Sequence, residues 1–339
     1  MASSPASLQT LARLLGLSRT TISDALRGTG RVSRATRQRV RQTAKSIGYR
    51  PNPLVATVLG SINRRRREVY HGALAVLDLF EPGHWPHGPF PRELISGAKT
   101  RAQEMGFSIT EFVAGNEALP LPRLHGILRS RGIRGIIVLP AWRQPDLTAL
   151  GWDDYAGIFT DEATAGPMLH SVCPDHYSSM LSLLTLLAER GYRRPGLILE
   201  RGRDLRIRHR QRAAYSAWQT AHDGAEIIAP LITAGFPSPG EFGPWFRRYR
   251  PDVILSHYNE APAWVRASMP RARPGFVMLN ILDRTTPSAA LDLQPRTIGA
   301  RAVELLVGQL LRAEFGIPDW PSRTLVQARW VEGPTVRPR

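Results

Sequence analysis

Fourteen of the chain's 45 arginines and lysines fall within residues 1–67, where Asp24 is the single acid. That segment carries a net +13 of the total +17, and the remaining residues carry +4. Charge of one sign at this density serves a polyanionic partner, either nucleic acid or a membrane surface. Lys45 and Lys99 are the only lysines, so arginine richness also follows coding composition; the asymmetry is the informative part. Residues fit for catalysis are scattered by comparison. The nine histidines show no metal-ligand spacing, and Cys173 stands alone before Pro174. One cysteine excludes an internal disulfide framework and a multi-cysteine zinc site. Asp153-Asp154 is a carboxylate pair between elements. A nucleophile elbow, a phosphate-loop lysine and a Rossmann glycine triplet are all missing. No enzyme, no cofactor and no metal is the resulting expectation.

The basic segment must be held by helices. Leu8, Leu11, Ala12, Leu14 and Leu15 recur at helical spacing behind Ser7, and Gly16 ends the run. Ser18 opens a shorter helix carrying Ile22, Ala25 and Leu26, broken by Gly28-Thr29-Gly30. Ser33 opens a third, with Val40, Ala44 and Ile47 aligned and Gly48 closing it. Three short helices with a tight turn between the first two outline a helix-turn-helix module. A purely structural bundle of this size would not need the +13 field.

Leu8–Ala12, Gly16-Leu17-Ser18, Thr21-Ile22-Ser23, Leu26-Arg27-Gly28, Arg31-Val32-Ser33, Thr36-Arg37, Val40 and Gly48–Asn52 together resemble the LacI (lactose repressor) family of transcription regulators, without a gap. The resemblance implies that the second helix enters the major groove with Arg19, Thr20 and Asp24 facing base edges. Arginine can grip guanine O6 and N7 in a bidentate pair, threonine can meet a thymine methyl, and aspartate can accept from cytosine N4. Asp24 departs from the basic residue often found there. Ser18, Thr21, Ser23, Arg31, Ser33 and Thr36 fall where the family touches phosphate, which sets register rather than sequence. Ser18 and Ser33 are equally suited to helix capping, and both roles are compatible.

Asn52 and Pro53 suit an N-cap and a first helical position, and the segment 52–60 is too short to be helical alone. The resemblance makes it a hinge helix that folds on DNA and wedges Val58, or its neighbour Leu59, into the minor groove. An ordinary linker helix is the alternative. The run Arg64–Arg67 lies in a basic linker, 61–70.

From residue 71 to 339, strands and helices alternate at βα spacing, giving an α/β core with parallel sheets in two lobes. Expected strands include Ala73–Leu77, Gly135–Leu139, Pro195–Leu199 and Asp252–Leu255, and one helix is expected over Arg208–His222. Gly132–Ile137, His176–Ser179, Gly191–Leu197 and Ile298–Leu306 resemble the periplasmic-binding-protein-like core of the same family. The resemblance implies a small-molecule effector, a sugar being one candidate, in the cleft at the carboxyl ends of the strands. Candidate contacts are Asp78, Phe80, Trp142, Arg206, Arg210, Tyr258, Asn280 and Gln294, with Arg208 and Arg212 as near as Arg210. Each can equally be an ordinary surface or crossover residue.

The first fifteen residues lack a secretory pattern, and the most apolar stretch, Met180–Ala188, is interrupted by Ser182 and Thr185. The expectation is a cytoplasmic homodimer, without membrane contact, that binds a palindromic double-stranded operator. Repression is the family default. An enzyme or a solute-binding protein of the same core fold is the alternative.

Overall fold

The computed structural model describes residues 8–27, 32–47, 72–79, 88–115, 118–141, 146–162, 166–223, 226–281 and 287–337. Three helices form the headpiece: α1 (Leu8–Leu15), α2 (Arg19–Arg27) and α3 (Arg34–Ser46). Gly16 takes φ +63°, and Leu17 N–H returns to Ala12 C=O at 3.1 Å, a left-handed helix stop that glycine adopts without a Cβ clash. Ser18 Oγ accepts from Thr21 N–H at 3.0 Å, and Ser33 Oγ accepts from Thr36 N–H at 3.2 Å. Both serines therefore satisfy an otherwise unpaired helix-start donor. Leu11, Ile22, Ala25, Val40 and Ala44 close a small core of their own.

Two lobes follow. The first contains β1 (Gly72–Leu79), α4 (Pro89–Glu104), β2 (Phe107–Ala114), α5 (Leu121–Ser130), β3 (Gly135–Val138), β4 (Ala156–Phe159) and β5 (His170–Pro174). Near the end of the chain α11 (Pro295–Arg312) and β11 (Arg323–Val326) join it. The second contains α6 (His176–Glu189), β6 (Pro195–Glu200), α7 (Arg201–Arg206), α8 (Arg210–Ala221) and β7 (Leu231–Thr233). It continues through α9 (Pro239–Tyr249), β8 (Val253–Ser256), α10 (Ala261–Ser268), β9 (Gly275–Met278), β10 (Ala289–Asp292) and β12 (Arg329–Val331). Strand order is β11-β5-β4-β3-β1-β2 in the first sheet and β12-β10-β9-β8-β6-β7 in the second. The chain thus passes between lobes three times, after β5, β10 and β11.

Neighbouring strands in both sheets are parallel, except that β12 runs antiparallel to β10. The two parallel sheets are those expected from the sequence; β12 is an antiparallel edge strand, reached from β11 in the other lobe by a two-residue link. β3, β4 and β8 are buried along their whole length, as strands covered on both faces must be. In the first lobe α4 crosses α11 at very close range. A Cβ on Gly97 would lie 2.1 Å from Arg296 O, and one on Gly299 would lie 2.0 Å from Leu94 O.

The helix expected over Arg208–His222 is present as Arg210–Ala221, its start set two residues later by a turn. The chain forms α7, then a turn with Arg208 at φ +52° and His209 at φ +59°, then α8.

Candidate nucleic-acid interface and inter-lobe cleft

α2 buries Ile22 and Ala25 against α1 and α3. Arg19 and Thr20 begin that helix, Ser23 lies in its second turn, and Asp24 follows at half-burial. Of the residues assigned to phosphate, Ser18 and Thr21 pair through their hydroxyls at 2.8 Å, and Ser33 and Thr36 do the same at 2.8 Å. These four stand at the N-terminal ends of α2 and α3, where the helix dipoles favour an anion. Arg31 and the hinge positions Asn52, Val58 and Leu59 lie outside the described residues.

Arginine–carboxylate pairs dominate the junction between the lobes. Asp161 and Glu162 leave the carboxyl end of β4 in the first lobe, and both are nearly fully buried. Arg206, at the end of α7 in the second lobe, bonds Asp161 Oδ2 through Nη1. Arg210 Nε lies 2.8 Å from Glu162 Oε1, and Arg208 Nε lies 3.9 Å from Oε2. Arg323 of β11 adds a first-lobe partner at 2.8 Å. The left-handed turn at Arg208-His209 lies between the two second-lobe arginines, Arg208 and Arg210, that face Glu162. Arg212 turns back, with Nε 3.2 Å from Asp204 Oδ2 in its own lobe. Three of the four arginines weighed from the sequence thus cross between lobes.

Two buried histidines and a buried cysteine lie around this network. Burial lowers the His176 pKa to about 4, aided by the charges of Arg203 and Arg210 and opposed by Asp175. Burial also holds His257 well below its usual value, with Arg203, His176 and Arg206 adding to the effect. Both imidazoles are therefore neutral near pH 7. His257 Nε2 sits 3.1 Å from Gln211 Oε1. Burial, then the Glu162 charge, pushes the Cys173 thiol up to about 12, so it stays protonated and unreactive.

The second lobe supplies an aromatic wall. Tyr258 donates its hydroxyl to Glu200 Oε2 at 3.2 Å, and burial together with that carboxylate raises its pKa to about 12. Phe236, 59% exposed, meets Tyr258 and Trp264 edge-on at 5.1 and 5.3 Å between centroids. Asp78 in β1 and Asn280 after β9 are buried polar residues at strand ends. Gln294, in the left-handed region before α11, donates Nε2–H to Gln327 O at 2.6 Å and so ties two inter-lobe crossings together. Phe80 and Trp142 lie outside the described residues.

Sequence reasoning missed Asp161, Glu162, Arg323, the histidine pair and Phe236. An acidic dipeptide directly after a buried strand was a readable signal for the first two. Arg323 and Phe236 had none, since their roles depend on pairings across the fold.

Residues 7–52 match the model of bacterial regulatory proteins, lacI family. The match covers the headpiece, α1 to α3, and not the two-lobed core behind it. The chain is 30% identical over 144 residues to the HTH-type transcriptional regulator CelR of Thermobifida fusca, covering 41% of this chain and 38% of that protein. Over 48 residues it is 52% identical to the regulator AglR of Rhizobium meliloti strain 1021, 14% of each chain. The aligned stretches thus span well under half of these relatives' length. Among solved structures, a CelR–cellobiose complex superposes with TM-score 0.58 at 20% identity, covering 97% of this chain and 99% of that one. A lac repressor dimer bound to operator and the anti-inducer ONPF gives 0.52 at 16%, covering 98% and 99%. Among the described residues, no helix is long and apolar enough to cross a membrane.

Proposed function

We propose that the chain is a cytoplasmic, sequence-specific DNA-binding transcription regulator rather than an enzyme. It acts as a homodimeric repressor on a palindromic operator, and a small molecule in the inter-lobe cleft modulates its binding. The observation that carries this reading is the lacI-family headpiece, with serine-capped α2 and α3, joined to a core whose lobes meet through charged pairs at strand ends.

Arg19, Thr20 and Asp24 read base edges, while Ser18, Thr21, Ser23, Arg31, Ser33 and Thr36 hold phosphates. Val58 and Leu59 supply the minor-groove wedge from the hinge that Asn52 caps. Neutralising phosphates releases counterions, so binding falls steeply with salt. In the cleft, Arg206 and Arg210 offer donors and Asp161 and Glu162 offer acceptors. A polyhydroxylated ligand can replace each arginine–carboxylate contact with one hydrogen bond to each partner. Phe236 and Tyr258 supply flat apolar surface against a sugar face, with Asp78, Asn280 and Gln294 as further polar contacts. The CelR relative was solved with cellobiose, so a sugar is the effector class to try first.

A ligand shifts DNA affinity only by its differential affinity for the two lobe arrangements. The test is selection of a duplex from a random library by the full chain, followed by titration with mono- and disaccharides, cellobiose included. The expected result is a palindromic site bound ~10³-fold or more above random duplex, with affinity changed by one sugar. Binding no tighter than to random duplex would refute the regulator reading.

A further inference from the structure

A second basic site lies away from the cleft. The outer face of α3, opposite the side that buries Val40 and Ala44, stands against the base of the first lobe. Between them is a cavity of about 830 Å³. Arg34, Arg37 and Arg41 line it from the headpiece, and Arg129 and Arg134 line it from the lobe. Asp153 and Asp154 are the two carboxylates in the lining, leaving an excess of three positive charges. Phe315 forms an aromatic floor, with the Arg134 guanidinium 4.1 Å and the Arg41 guanidinium 6.0 Å from its ring centre. The N-terminal end of α3, at Val32 and Ser33, opens on the same space.

This arrangement is electrostatically unfavourable when two basic walls face each other alone. Arg134 shows the conflict: burial, and then the nearby positive charge of Arg37, pull its pKa down, with Asp154 opposing and Arg41 adding to the fall. Guanidinium groups are preferred partners for multi-oxygen anions, because their planar forks match such oxygens. A helix N-terminus adds attraction of the same sign. The volume lies within the range of small-molecule sites and far exceeds the needs of a single ion.

We propose that this junction binds a phosphoryl-bearing small molecule, and that its bound oxygens fasten the headpiece to the first lobe. The site is separate from the inter-lobe cleft, and it shares Ser33, at the start of α3, with the DNA-phosphate contacts proposed above. Its occupant bridges arginines of two domains and so fixes the attitude of α3 relative to the core.

The probe is pyrophosphate, titrated calorimetrically into the full chain at constant ionic strength, with chloride as the reference. Saturable one-to-one binding is expected. Arg37→Gln, on the headpiece wall, and Arg134→Gln, on the lobe wall, should each weaken it at least tenfold. Arg248→Gln, on α9 and outside the cavity lining, should leave it unchanged. Circular dichroism melts check that each variant folds, and Arg129→Gln replaces Arg134→Gln if the latter does not. Binding no stronger than chloride overturns the proposal. So does a loss confined to one wall, or an equal loss in Arg248→Gln. If Arg134→Gln weakens binding to duplex DNA while pyrophosphate fails to bind the unmodified chain, the cavity serves the DNA backbone and the small-molecule site is refuted.

Discussion

Glu162→Gln is the most informative single change in the core. It keeps the shape of the side chain and removes one negative charge facing three guanidinium groups. The Glu162 side chain is fully buried, while those of Arg208, Arg210 and Arg323 are 45%, 27% and 26% exposed. Breaking a fully buried ion pair costs ~3–5 kcal/mol, mostly because one charge is left without compensation. Here the charges left behind are arginines that water already reaches, so a cost of about 2–3 kcal/mol is expected. At ~2–4 °C per kcal/mol for a large domain, the melting temperature should fall by roughly 4–12 °C. Since Arg208 and Arg210 belong to the other lobe, the radius of gyration from small-angle scattering should also rise. The reference is Glu314→Gln. Its pair with Arg312 is more than half exposed on both sides, and such pairs contribute ~1 kcal/mol or less. If Glu162→Gln costs no more than Glu314→Gln and the scattering is unchanged, water satisfies the arginines and the network does not join the lobes.

Three further outcomes are expected. Acid should destabilise the core between about pH 6.5 and 4. The unfolded chain protonates His176 near 6.5 while the folded one resists until about 4, so stability present above 6.5 is lost as pH falls, by about 3 kcal/mol in all; His176→Asn should flatten that slope in a melt series. Arg19→Ala should lose ~1–3 kcal/mol of discrimination at one base pair per half-site, while Thr36→Ala should weaken all sequences alike. Binding profiles over all single-base operator variants separate the two, and a uniform loss for Arg19→Ala would move base reading to Thr20 or Asp24. Gly299→Ala should cost several kcal/mol, the scale of overpacking against backbone, because its Cβ would meet Leu94 O at 2.0 Å. A melt within 1 °C of the parent would show that α4 and α11 separate freely.

The headpiece was the most legible region. Its helices are short, each start has a serine, and apolar spacing marks the buried face, so local signals agree with the packing. In the core, fully buried strands such as β3 and β4 were visible as apolar runs. The break at Arg208-His209 was not, because two non-glycine residues adopt positive φ there without any turn residue to mark it. α9 had a readable start in Ser238 and Glu241, which form reciprocal capping bonds; Pro239 and Pro244 obscured the helical reading. The role of the acid side of the cleft is not legible in the sequence, because a buried carboxylate reveals itself only when its partners are brought together. Gly97 and Gly299 are separated by some two hundred positions, and their mutual approach is a property of the folded pair.

The close α4–α11 crossing also sets an order of events during synthesis. Leu94, Ile95 and Ala98 emerge early but are buried by Ile298, Ala302 and Val303, with Val326 of β11 completing the same cluster. At ~5–20 residues per second, α4 leaves the ribosome roughly 10–40 s before its partner helix exists. Until then the first lobe has five of its six β-strands, with one apolar helix face open to water and to other nascent chains. The headpiece, whose core closes within 34 positions from Leu11 to Ala44, carries no such delay. The growing chain therefore holds a finished N-terminal module attached to an unfinished lobe, and contacts of high sequence separation make completion of that lobe the slow step.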